Sequence, residues 1–239
     1  MEQDFVVNNN DSKVMEKFGI AIKKHGFCII KNFVDEDTLR KKIKLFKASF
    51  SPDNDIRKSG PMKYKMKNYQ RVDLGDYRQI NARFVRTFTQ FTWNKENTFY
   101  EEVRKVVNFR NAYCGLKEIE DGVYNIGNSK YCDLPKLSQY PVGGGFMNCH
   151  IDDNNEYAVM NVLLSLCKRG EDFISGGVYY HDRNNNFLDV EDTLGIGDLY
   201  AHDIKTPHGV RAIDDEKSID LKTLSGRLAI NLSLEKFQF

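Results

Sequence analysis

A chain of 239 residues with 41% hydrophobic and 29% charged side chains can build one soluble domain with a sizeable core, and its composition excludes disorder, collagen and coiled coil. Thirty-five basic against 34 acidic residues leave a formal charge of +1, so no global field points to a nucleic-acid or membrane partner. The longest uncharged apolar stretch, 157–167, has eleven residues, against the roughly 20 that a helix needs to cross a bilayer. The acidic start, with no apolar run before Asp11, does not read as a signal peptide. Five scattered cysteines (Cys28, Cys114, Cys132, Cys149, Cys167) without a Cys-x-x-Cys fit reduced thiols, and a cytoplasmic location is expected.

In chain order, apolar residues at Val14, Met15, Phe18, Ile20, Ala21 and Ile22, a mostly helical spacing, predict a first helix over 12–24, with Asp11 or Ser12 as its cap and Gly26 as its end. Phe27-Cys28-Ile29-Ile30 reads as a strand, and Asp35 as the N-cap of a second helix, 36–50. Gly and Pro punctuate 51–81, which reads as a long functional loop or lid. Helical periodicity returns over 82–109. After Gly122 the chain becomes short strand candidates between Gly- and Asn-rich turns: 137–141, 145–151, 157–166, 177–181, 198–202, 207–213 and 227–234. The expectation is a single α+β domain over 1–239. Residues 1–120 supply helical support and lid, and 121–239 form a double-stranded β-helix, or jelly roll, that manages its strand edges by closing two sheets on each other.

Four of the five histidines, His150, His181, His202 and His208, lie in the β half. Only His150 begins a His-x-Asp triplet, itself a weak signal. On a strand, residues i and i+2 share a face, so His150 and Asp152 would stand side by side with Ile151 turned away. A third ligand would come from a distant strand adjacent in the sheet. His208, 56 residues after Asp152, is the best candidate, with His202 and His181 as rivals. Two imidazoles and a carboxylate suit Fe(II) and leave three positions open. Cys149 should face away from such a metal.

The stretch 137–234 resembles the Fe(II)- and 2-oxoglutarate-dependent dioxygenases. The resemblance rests on Tyr140-Pro141-x-Gly143-Gly144 leading into His150-x-Asp152, then Gly176-Gly177-Val178, Gly197-Asp198-Leu199-Tyr200, His208-Gly209-Val210 and Gly226-Arg227-Leu228-Ala229-Ile230-Asn231-Leu232, in order and at matching spacing. It implies His150, Asp152 and His208 as catalytic metal ligands, with Fe(II), 2-oxoglutarate and O2 as cofactor and cosubstrates. It also implies Arg227, 19 residues beyond His208, as the anchor of the far carboxylate of 2-oxoglutarate, with Tyr140 as a second contact in the manner of the prolyl-hydroxylase branch. Arg211 is the competing anchor. Where many relatives read Arg-x-Ser this chain has Ala229, so another donor must replace the hydroxyl. The carboxylate at Asp152 argues for hydroxylation over halogenation, since halogenating relatives lack it.

Residues 57–86 carry nine basic side chains, Arg71 and Arg78 among them, against two acidic ones, interleaved with Tyr64, Tyr69 and Tyr77. The functional reading is a lid in which Arg71 and Arg78 meet an anionic group of a small-molecule substrate; the plain alternative is a solvated basic loop. The expected activity is hydroxylation of an unactivated C–H of a small, polar or anionic metabolite, with a peptidyl hydroxylase as the runner-up. A nucleic-acid demethylase and a non-catalytic jelly-roll binding module rank below.

Overall fold

The computed structural model describes residues 4–51, 69–72, 82–118, 122–152 and 160–236. Strand β1 (Val6–Asn8) precedes α1 (Val14–His25), in which Phe18, Ala21 and Ile22 form the buried stripe that helical spacing produces. The helix stops where Gly26 takes a left-handed conformation at φ 87°. Its first turn is Val14 rather than Ser12, because Asp11 accepts the Lys13 N–H and so caps a turn ahead of the helix. β2 (Phe27–Lys31) follows, and Asp35 then caps α2 (Glu36–Ser49) by accepting the Thr38 N–H at 2.9 Å.

The expected helix over 82–109 divides instead into β4 (Arg83–Thr89) and α3 (Tyr100–Cys114). Arg-Phe-Val-Arg-Thr-Phe-Thr is rich in β-branched and aromatic residues, and sheet pairing decides its conformation. Short β3 (Tyr69–Val72) pairs with β4 inside the segment read as loop. Nine further strands complete the fold: β5 (Val123–Ile126), β6 (Ser129–Pro141), β7 (Gly145–His150), β8 (Met160–Ser165), β9 (Gly177–His181), β10 (Phe187–Asp189), β11 (Leu199–Asp203), β12 (His208–Ile213) and β13 (Gly226–Lys236). β1, β3, β5 and β10, each of three or four residues, are too short to stand out as sequence patterns.

The strands run in the order β1-β2-β11-β8-β13-β6-β4-β7-β12-β9-β10. β4 is the link between two walls, since Arg86–Thr89 pair with β6 while Arg83 and Phe84 pair with β7. The larger wall carries the helices on its outside, and Phe46 of α2 meets Phe88 edge-on at 5.2 Å. Leu137, Val162, Leu164, Leu228 and Ile230 sit at 0–1% exposure beneath them. The opposite face of that wall looks across a cavity at the smaller wall, β7-β12-β9-β10. This is the double-stranded β-helix with helices packed outside.

Candidate active site

His150 ends β7 and His208 begins β12, and the two residues are direct cross-strand partners. Asp152 lies just beyond β7, where its N–H donates to Ile204 O at 2.8 Å. Pairing and the turn therefore gather a ligand-sized cluster from positions 58 residues apart: the three side chains offer atoms that all lie within 4.8 Å of one another. His150 Nε2 is 3.4 Å from Asp152 Oδ1, and His208 Nε2 is 3.4 Å from Oδ2. Gly209 lets β12 come this close, because a Cβ there would meet the Tyr179 hydroxyl at 2.6 Å and Met147 O at 2.8 Å.

The tautomers suit a metal. His150 Nδ1 lies 2.9 Å from Asn148 O and His208 Nδ1 lies 3.0 Å from Thr206 O. A carbonyl only accepts, so each Nδ1 carries the hydrogen and each Nε2 turns a lone pair to the cluster. Burial, then the neighbouring His202, outweighs the pull of the Asp152 carboxylate and holds His208 well below the usual imidazole range, in its neutral ligand form. Burial pushes the Asp152 carboxyl up, but the close approach of His150 and His202 outweighs it and holds the group far below the usual carboxylate range. A neutral imidazole, an ionised carboxylate and a second imidazole fit Fe(II), and all three line a cavity of about 430 Å³.

Arg227 lines the same cavity. It is 1% exposed, and its Nε donates to Glu191 Oε2 at 2.7 Å while Nη2 donates to the Tyr200 hydroxyl at 2.9 Å. Neither bond uses Nη1. Tyr140 is its cross-strand partner, with the guanidinium 5.9 Å from the ring centre. Arg211, the competing anchor, instead points outward, 46% exposed and paired with Asp189. Ala229 faces Ser138 across the strand pair, and Ser138 faces Thr87, so the wall carries hydroxyls at the level where Arg-x-Ser would place one.

The lid reading fares differently. Arg78 lies outside the described residues. Arg71 is 6% exposed and directly opposite Arg86, which is fully buried and bonded to Gln139, Leu221 O and Thr223 O. Arg71 thus shares that strand face, while its neighbour Val72 and the strand-β4 residue Arg83 reach the cavity. Part of the basic excess of 57–86 is consequently wall structure rather than lid. Cys149 is exposed and does not line the cavity, in keeping with the expectation that it faces away from the metal cluster.

Sequence reasoning assigned no role to Glu191, Tyr200 or Asn161. Tyr200 and His202 alternate on β11 with both side chains lining the cavity, a period-2 signal that was available. Glu191 sits in a 3-10 turn, 191–193, where no periodicity marks it. Gly177 depends on it: with φ at 121°, a Cβ there would stand 2.4 Å from Glu191 Cγ. Gly177→Ala is expected to cost about 1–3 kcal/mol of backbone strain and to push Glu191 off Arg227; a denaturant melt and a 2-oxoglutarate titration would check it, wild-type behaviour in both overturning the link.

No family model matches the sequence, and no curated protein matches it. Solved structures do match its fold. A prolyl-4-hydroxylase from Pseudomonas putida superposes with a TM-score of 0.58 at 13% identity, over 94% of this chain and 100% of that one. A prolyl hydroxylase from Trichoplax adhaerens, in complex with a hypoxia inducible factor oxygen degradation domain peptide fragment, gives 0.59 at 14% identity over 93% and 89%. An oxidoreductase of the 2OG-Fe(II) oxygenase family from Burkholderia pseudomallei gives 0.55 at 10% identity over 96% and 95%. At such identities the likeness shows a common fold, that of the 2-oxoglutarate- and Fe(II)-dependent oxygenases.

Proposed function

We propose that the protein is an Fe(II)- and 2-oxoglutarate-dependent oxygenase that hydroxylates an unactivated C–H of a small polar or anionic substrate. The observation that carries this reading is the pairing, within one cavity, of a two-histidine-one-carboxylate cluster in its ligand tautomers on one wall with a buried arginine on the facing wall whose Nη1 remains for an anion. His150, Asp152 and His208 would hold Fe(II), which together with 2-oxoglutarate and O2 supplies an oxidant strong enough to break a C–H bond, with release of succinate and CO2.

The chain's own residues do the rest. Arg227, kept in place by Glu191 and Tyr200, receives the far carboxylate of 2-oxoglutarate, with Tyr140 beneath it; Ser138 and Thr87 stand where they can replace the hydroxyl absent at Ala229. Val178, Val210 and Leu163 line the cavity with apolar surface and exclude water from the reacting centre. Screening metabolite, sugar, amino-acid and peptide pools for succinate release and a product heavier by one oxygen atom tests the assignment; a protein loaded with Fe(II) that never consumes 2-oxoglutarate would sink it.

A polar or anionic substrate is supported by the cavity wall. Lys136, Arg83 and Lys236 line it with one outer carboxylate, Glu235, alongside Asn231 and Ser233. Lys136 and Glu235 pair at 3.2 Å with both side chains at least a third exposed, and so weak a surface pair exchanges readily for a substrate anion. Lys136→Glu is expected to raise KM for an anionic substrate about 5- to 50-fold with little change in kcat, from loss of one attraction and gain of one repulsion. An unchanged KM would favour a neutral substrate. The runner-up, a peptidyl hydroxylase, is supported by the likeness to prolyl hydroxylases, one of them bound to a peptide. The peptide arm of the screen separates the two. Among the described residues no helix is long and apolar enough to cross a membrane.

A further inference from the structure

Asp152 is the least anchored of the three ligand candidates. It lies past the end of its strand, and its side chain is 26% exposed against 10% for His150 and 12% for His208. Something other than strand packing must hold its carboxylate. Two side chains do so, both at Oδ2: Asn161 Nδ2 at 2.5 Å and His202 Nε2 at 3.1 Å. These two are themselves direct cross-strand partners on β8 and β11, so the sheet fixes their spacing.

The second nitrogen of His202 is also spoken for. Its Nδ1 lies 3.1 Å from the hydroxyl of Tyr180, a fully buried residue stacked on Phe27 at 4.6 Å. An ionised carboxylate only accepts, so Nε2 of His202 carries a hydrogen and, in the neutral ring, Nδ1 accepts from the tyrosine. A carboxylate oxygen has two lone pairs, and Asn161 and His202 supply one hydrogen to each.

We propose that Asn161, His202 and Tyr180 form a clamp that grips the Asp152 carboxylate at Oδ2 and fixes its orientation toward the two ligand histidines, making His202 the positioning residue of the centre. A carboxylate gripped in this way would be kept from rotating, so that a metal held by His150, Asp152 and His208 would meet the same set of donors each time. The clamp also accounts for a histidine that the sequence leaves as a rival ligand: its Nε2 is turned to Asp152 Oδ2.

The inference rests on reading His150, Asp152 and His208 as a metal centre, and one experiment distinguishes the two. Mn(II), which has no redox chemistry under these conditions, is titrated into the full chain and into His202→Leu, His202→Gln and Tyr180→Phe, with the melting temperature of each metal-free protein measured alongside. Removing a partner of a ligating side chain typically weakens metal binding about 10- to 100-fold, and His202→Leu is expected to fall in that range. His202→Gln, which still offers an N–H near the same point, should recover most of the affinity although it loses the ring equally. Tyr180→Phe should lie between. Wild-type Mn(II) affinity in His202→Leu overturns the clamp and leaves the metal centre standing. Equal weakening in the Leu and Gln variants, tracking equal losses of melting temperature, also overturns it, since the ring would then serve packing only. A wild-type chain that binds no Mn(II) removes the metal centre itself.

Discussion

Asp152→Ala is expected to lower succinate formation by more than about 100-fold, to the background of metal-free protein, and to abolish the stabilisation that a divalent metal gives the wild type. A ligand that binds only the folded chain stabilises it by about 2.7 kcal/mol at a hundred times its Kd, worth roughly 5–10 °C in a domain of this size. The measurement is a pair of thermal melts, with chelator and with Mn(II), for wild type and variant. The carboxylate is the only anion in the cluster, and its low proton affinity shows how strongly the surrounding donors favour the charged form. Without it, the site offers two neutral imidazoles. Because Asp152 lies outside the strands, the metal-free variant should fold normally, which separates loss of metal from loss of structure. Full turnover in Asp152→Ala or His150→Ala would end the oxygenase reading.

Arg227→Met should do two distinct things. Arg227 and Glu191 are a buried pair, each about 1% exposed, and Glu191 also accepts the Val178 N–H at 2.6 Å. Deleting the cation leaves a carboxylate without its counter-charge in the interior, a loss of about 3–5 kcal/mol, or roughly 6–20 °C in melting temperature. The double variant Arg227→Met with Glu191→Gln should recover part of that loss, because the stranded charge is gone. Binding of 2-oxoglutarate should not recover. Loss of a buried, hydrogen-bonded charge partner weakens a carboxylate by about 2–5 kcal/mol, at least about 30-fold in Kd. Arg227→Lys should be intermediate, because an ammonium keeps the charge but cannot reach Glu191, Tyr200 and the cosubstrate at once. A double variant that regains both stability and cosubstrate affinity would reduce Arg227 to a structural residue.

Much of this chain was legible before folding. The α1 stripe at Phe18, Ala21 and Ile22, the Gly26 stop and the Asp35 cap are local chemistry, as are the alternating strands from 145 onward. The His150-x-Asp152 spacing and the later His208 and Arg227 follow an order that the fold requires, and the structure brings His150, Asp152 and His208 together and sets Arg227 in the same cavity. Residues 83–89 were misread because Phe84, Val85 and Phe88 satisfy a helical pattern as well as a strand one. Only pairing with β6 and β7, on two walls at once, selects the strand.

Local sequence determined which donors the chain owns and their spacing along a strand, since side-chain alternation and capping depend on neighbours within a few residues. Tertiary structure alone decided what each donor faces. Arg227 meets Glu191, His202 turns from rival ligand to partner of Asp152, and Arg71, expected in the lid, lies buried on the wall opposite Arg86. Each of those outcomes is a hydrogen bond or strand pairing across at least 15 positions of sequence. Such contacts are fixed by sheet register and wall closure, which no local pattern encodes.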